Sequence, residues 1–186
     1  MIYRVVQGLV FCLVVLFYSS CSKREEKADA QNATVGAATG MDLLQVEAID
    51  ERGFRQLVTQ RKGKALFLNL WATWCKPCEE EFPDIVRLSN ELPPTVIDFV
   101  AISLDYPDEV ESKILPFLRE KKITFKVYVA DVKDQESFIN TVNSVWSGAL
   151  PATIVYDETG RRKAFLVGQQ DYETFKKEIG KVRSSS

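Results

Sequence analysis

Apolar residues fall along this chain in short blocks separated by charged or turn-forming stretches. Residues 65–71 are apolar almost without a break, the pattern of a strand buried on both faces. Residues 96–103 and 125–130 repeat it, and 43–48 offers a shorter version. Between these blocks the period lengthens to that of a helix. Asp50 can cap a helix that carries Phe54, Leu57 and Val58 and stops at Gly63. Residues 75–92 predict a second helix, stopped by Pro93-Pro94 and kinked at Pro83. A third helix is expected over 108–121, with Ile114, Leu115 and Leu118 inward and Pro116 disturbing it. A fourth is expected over 134–145, with Phe138, Ile139 and Val142 at helical spacing. Residues 152–156 and 163–167 read as a hairpin around Asp157-Glu158-Thr159-Gly160, where Gly160 can supply a positive φ. Asp171 then caps a last helix through Phe175 and Ile179. The order predicts an α/β fold, a mixed central sheet with helices on both faces.

The first 40 residues break this pattern. Arg4 precedes an almost uninterrupted apolar run over 5–18, with only Gln7 polar. The run is short for a membrane span, which needs about 20 residues. It reads as a secretory signal. Small residues Ser19-Ser20 then precede Cys21, an arrangement that resembles a bacterial lipoprotein signal. In such signals the cysteine is lipidated and becomes the mature N-terminus; Tyr18 stands where they usually carry an aliphatic residue. An ordinary signal peptide or an uncleaved anchor with an incidental Cys21 is the alternative. Residues 22–40 are charged, then small and polar, as in a flexible tether. The chain thus divides into a lipoprotein-type signal at 1–20, a tether at 21–40 and a domain at 41–186.

Composition narrows the chemistry. Of 186 residues, 46% are hydrophobic and 27% charged, which is ordinary for a folded domain. A net charge of -2 leaves no basic excess to neutralise phosphates, so nucleic acid is not the expected partner. The chain has no histidine, which removes Ser-His and Cys-His catalysis and imidazole metal sites. Of the four cysteines, Cys12 and Cys21 belong to the leader region, so the domain keeps only Cys75 and Cys78. Their spacing, where a buried strand gives way to a helix, suits disulfide exchange. At a helix start, free N–H groups and the macrodipole favour a Cys75 thiolate, and Lys76 adds a cation. Both lower the thiol pKa from about 8.5. Cys78, one turn further in, is better placed to resolve a mixed disulfide than to begin one. Pro77 costs nothing here, because its missing N–H falls in the first turn. Three other readings compete. A structural disulfide would close too small a loop to stabilise much. A zinc half-site lacks further Cys or His ligands. An incidental reduced pair remains.

The segment Asn69-Leu70-Trp71-Ala72-Thr73-Trp74-Cys75-Lys76-Pro77-Cys78-Glu79-Glu80-Glu81-Phe82-Pro83 resembles the active-site segment of thioredoxin-fold proteins. More narrowly, it resembles the exported, membrane-tethered TlpA/ResA group of thiol-disulfide oxidoreductases. Trp146-Ser147-Gly148-Ala149-Leu150-Pro151-Ala152-Thr153 is similar to that family's cis-proline loop. The resemblance implies a thioredoxin-like fold with a cis Pro151 beside Cys75, and a Leu150 backbone able to pair with an extended substrate. Thioredoxin itself carries a buried Asp at the position of Asn69 and uses it for proton transfer, which an amide cannot do. The TlpA/ResA group is similar to this chain in having Asn there and a Glu after the cysteine pair. Glu81 is therefore expected to tune Cys78 and move its proton. The alternative is a first-turn acid favoured by the helix dipole, like Glu79 and Glu80. Trp71 and Trp74 are expected to shield the pair, Trp71 equally as core and Trp74 facing substrate, with Trp146 buried.

The same resemblance implies a reductase that needs no cofactor beyond the redox-active disulfide Cys75–Cys78. Its expected partners are disulfide-containing client proteins, apocytochrome c among the candidates, and a membrane thiol-electron donor of the DsbD/CcdA type. Its expected place is the periplasmic side of a bacterial membrane, held by a lipid on Cys21. An oxidase would use the same residues, but Lys76-Pro77 lacks the His found between the cysteines of strongly oxidising relatives. A peroxiredoxin-type peroxidase is hinted at by Ile102-Ser103-Leu104-Asp105, although Ala72 stands where such enzymes carry Thr or Ser. A client-binding module without redox turnover is a third class.

Overall fold

A computed structural model describes residues 45–183. The signal, the tether and Cys21 lie outside the described residues. The elements run β1 (Val46–Ile49), α1 (Glu51–Thr59), β2 (Ala65–Trp71), α2 (Lys76–Glu91), β3 (Ile97–Ser103), α3 (Leu115–Glu120), β4 (Lys126–Ala130), α4 (Gln135–Val142), β5 (Ala152–Tyr156), β6 (Arg162–Val167) and α5 (Tyr172–Arg183). They build one six-stranded sheet in the order β1-β4-β3-β2-β5-β6. The first four are parallel, while β5 runs antiparallel to β2 and β6 antiparallel to β5. This is the mixed sheet with helices on both faces that the apolar pattern predicts.

Central β2 is buried along its whole length because both of its faces are covered. Successive side chains alternate between those faces. Leu66, Leu68 and Leu70 enter a core with Phe54 of α1 and Phe138 of α4. Phe67 packs on the other face with Ile85 of α2 and Phe175 of α5. Trp71, also on that face, joins Phe82 of α2 and Leu115 and Leu118 at α3. The same alternation aims Asn69 beneath α2, among otherwise apolar neighbours.

Strand direction positions the site. In α/β sheets the loops beyond the carboxyl ends of parallel strands form the usual binding crevice. The ends of β2, β3 and β4 meet there. Because β5 is antiparallel to β2, its start lies at the same edge, with Leu70 opposite Ala152. Residues from 71–75, 103–107, 130–132 and 148–151 therefore converge.

Two local details differ from the sequence pattern. The expected helix over 108–121 is split into a 3₁₀ turn (Pro107–Glu109), a π turn (Val110–Ile114) and α3. Pro116 lacks the N–H that would continue an α-helical ladder and its ring crowds the preceding turn. The wider turn, closed by Leu115 N–H on the Val110 carbonyl, accommodates it. Secondly, α4 ends at Val142 rather than Val145. Asn143 turns to extended backbone and its carbonyl accepts from Trp146 N–H. Trp146 is thereby carried into the core, with its indole N–H donating to the Ala149 carbonyl at 3.0 Å. As expected from the sequence, α2 runs across Pro83 to Glu91.

Candidate active site

Cys75 is the N-cap of α2, and its Sγ accepts from the Cys78 backbone N–H at 3.2 Å. The sulfur therefore sits where unpaired amides and the helix dipole favour negative charge. Pro77, in the first turn, removes no needed donor. The two cysteines are joined as a disulfide with Cα atoms 5.3 Å apart. Cys75 keeps 6% of its surface in solvent and Cys78 none. The outward sulfur is thus the one a partner can reach. Lys76 lies beside the pair but is largely solvent-exposed, and its Nζ donates to Glu79 Oε2 at 2.9 Å. Lys121 Nζ holds the other Glu79 oxygen at 2.9 Å. These two hydrogen bonds, Lys121 first, draw the Glu79 carboxyl down to about 2. The Lys76 charge is accordingly shared with an acid, and the helix terminus is the more direct influence on Cys75.

Glu81 is not solvent-facing: it is 1% exposed, one turn beyond Cys78 on the same side of α2. Asn69 Nδ2 donates to its Oε1 at 2.8 Å, and Gln170 N–H donates to its Oε2 at 3.1 Å. Asn69 Nδ2 also donates to Thr153 Oγ1 at 3.0 Å, across the β2–β5 pairing that sets Asn69 opposite Thr153. Burial raises the Glu81 carboxyl from 4.5 to about 7, against the opposing pull of the Gln170 and Asn69 hydrogen bonds. A carboxyl near neutrality exchanges its proton readily at ambient pH.

Trp71 is enclosed, stacked on Phe117 with ring centroids 4.6 Å apart and edge-on to Phe82 at 4.9 Å. It is core. Trp74 is 68% exposed and stands over a groove of about 170 Å³. Leu150 lines the same groove, and the Leu150–Pro151 bond is cis. Among the described residues, no group of three His, Cys, Asp or Glu side chains is placed to hold a metal ion.

One functional candidate was not singled out from the sequence. Asp105 is buried at the end of β3 and accepts from Thr73 N–H at 2.9 Å, from Thr73 Oγ1 at 2.6 Å and from Ser103 Oγ. Leu104 N–H also bonds the Trp71 carbonyl at 2.8 Å. The loop that delivers Trp74 and Cys75 is thus clamped by its neighbouring strand. Only the parallel pairing of Trp71 with Ser103 brings these segments together. The motif at 102–105 drew notice in the sequence, but for a different chemistry.

The chain matches the model of the AhpC/TSA family over residues 41–163. The thiol-disulfide oxidoreductase ResA of Geobacillus thermodenitrificans is 30% identical over 134 residues, 72% of this chain and 72% of that protein. ResA of Bacillus cereus is 26% identical over 185 residues, 98% of this chain and 96% of the relative. Among solved structures, a thioredoxin-family thiol:disulfide interchange protein from Chlorobium tepidum superposes with a TM-score of 0.55 at 24% identity. That match covers 66% of this chain and 82% of the other, and shows the thioredoxin-like fold. With its cysteine pair at the head of α2 on this fold, the chain belongs to the AhpC/TSA family and is a thioredoxin-like thiol-disulfide oxidoreductase related to ResA.

Proposed function

We propose that the protein is a membrane-tethered extracytoplasmic reductase of disulfides in exported client proteins. The observation that carries the reading is the unequal placement of the two sulfurs, Cys75 at the helix head in contact with solvent and Cys78 sealed beneath it. In the reduced enzyme the Cys75 thiolate attacks one sulfur of a client disulfide. A Cys75–client bond forms, the client bond breaks, and the departing client sulfur takes the electron pair and a proton. Cys78 then loses its proton and attacks Cys75 Sγ. The second client thiol leaves, and Cys75–Cys78 is left oxidised. The buried Glu81 carboxyl is the group in the neighbourhood suited to take the Cys78 proton, with Asn69 holding it in place. Leu150 and Pro151 offer the edge along which an extended client lies, and Trp74 covers it. No cofactor is required beyond the dithiol itself.

Two electrons must then be restored from outside. A membrane thiol-electron donor of the DsbD/CcdA type supplies them in this reading, and apocytochrome c is one fitting client. The signal at 1–20, the tether at 21–40 and lipid on Cys21 would hold the domain at the outer face of a bacterial membrane. A Cys78→Ser variant should accumulate mixed disulfides through Cys75, which mass spectrometry identifies. The reduction potential of the parent pair should lie near about -270 mV. A potential near about -120 mV would instead make the enzyme an oxidant, and absence of Cys75 adducts would remove the exchange mechanism.

A further inference from the structure

The groove beside Cys75 has an electrostatic character of its own. Its floor and rim are apolar, with Trp74, Tyr106, Ile139 and Leu150 among the lining residues. Trp74 and Tyr106 are exposed and unmatched by any apolar cover among the described residues. Among the described residues, only Asp105 and Asp131 bring charge to its lining, and neither lysine nor arginine lines it. Asp105 is buried and held by neutral donors from Thr73 and Ser103, which orient its charge without cancelling it. Asp131 follows β4, is exposed, and makes no ion pair among the described residues. The cation that senses Asp105, Lys113, is already paired with Glu109. An apolar slot with two uncompensated carboxylates complements a chain segment that carries both an apolar side chain and a cation.

We propose that this groove selects client segments in which the target cysteine is flanked by an apolar side chain and a lysine or arginine. The inference rests on the reading of Cys75 as the attacking thiol. The apolar neighbour packs against Trp74 and Leu150, and the cation reaches the Asp131 side of the groove. A segment with acidic flanks meets the same two carboxylates and is repelled. Selection therefore acts on the rate of mixed-disulfide formation, before Cys78 takes part.

The test uses the Cys78→Ser variant and two peptides that differ only in Lys or Glu two positions from a single cysteine. Each peptide cysteine is activated as a disulfide with thionitrobenzoate. The Cys75 thiolate attacks the peptide sulfur, the Cys75–peptide disulfide forms, and thionitrobenzoate leaves with the electron pair and is read by its colour. The lysine peptide should react about tenfold faster at low ionic strength, and the ratio should fall to about twofold in 1 M salt. Adding Asp131→Asn should cut the low-salt ratio about threefold. Adding Glu173→Gln, which removes the same charge from α5 on the other face of the sheet, should leave it unchanged. Equal rates for the two peptides overturn the selection while leaving the exchange chemistry intact. So does an equal effect of Asp131→Asn and Glu173→Gln, which would reduce the preference to net charge. Failure of both peptides to form a Cys75 adduct overturns the selection and the reductase reading together.

Discussion

The buried Glu81 carboxyl ties stability to pH in a way that Glu81→Gln exposes. Burial raises its pKa from 4.5 to about 7. At about 1.4 kcal/mol per pH unit, keeping the carboxylate ionised in that site costs on the order of 3 kcal/mol. The folded chain holds the proton more tightly than the unfolded chain. Below about pH 4.5 both states are protonated and nothing is lost. As pH rises toward 7 the unfolded chain releases its proton first, so stability falls, and it levels off above 7. Most of that cost, on the order of 2–3 kcal/mol, falls between pH 5 and pH 8. That window is clear of other domain groups with ordinary pKa values inside it, since the chain has no histidine and Cys75 and Cys78 are joined. Urea unfolding of the oxidised protein at the two pH values measures the effect. The parent should lose on the order of 2–3 kcal/mol more than the glutamine variant on going from pH 5 to pH 8. The variant has a fixed cost of its own, because Asn69 Nδ2 and Gln170 N–H both donate to this position. A glutamine amide needs an acceptor, and Asn69 Oδ1, without a partner among the described residues, can provide one if the Asn69 amide turns over. That cost is independent of pH and cancels in the comparison. Equal losses in parent and variant would refute the argument that burial dominates the Glu81 site.

Two further substitutions test the framework. Gly160→Ala should destabilise by about 2–3 kcal/mol in the same unfolding assay. Its φ is +82°, and an added Cβ would lie 2.5 Å from the Val58 carbonyl oxygen, a backbone atom with little room to yield. Asp105→Asn replaces one acceptor oxygen with an NH2 donor that faces the donors from Thr73 and Ser103, so it should cost about 1–3 kcal/mol. Hydrogen exchange should show the Thr73 amide losing protection in that variant, while the β2 amides keep theirs.

Much of the fold is legible in local pattern. The run Ala65–Trp71, apolar except for Asn69, reads as a central strand because a strand covered on both faces has no polar side to show. Asp50 and Asp171 cap helices because their short carboxylates reach back to amides three residues on. Gly160 closes the hairpin because the turn demands a positive φ. Pattern reading was weakest where a proline or an aromatic side chain answered to its surroundings. The segment before Pro116 widened into a π turn, and α4 stopped early so that Trp146 could enter the core.

The site divides in the same way. The spacing of Cys75 and Cys78, the junction they occupy and the lack of histidine are properties of the sequence, and they point to disulfide exchange over metal binding. The partnership of Asn69 with Glu81 and Thr153, the Gln170 amide on Glu81, and the Asp105 clamp on Thr73 join residues far apart in the chain. Strand order and register alone decide those meetings, because a hydrogen bond depends on the positions of two backbones that no local pattern encodes. The chain by itself thus singled out the two sulfurs, while the tertiary structure decided which of them faces out, which acid lies buried beneath the pair and what charge lines the groove beside it.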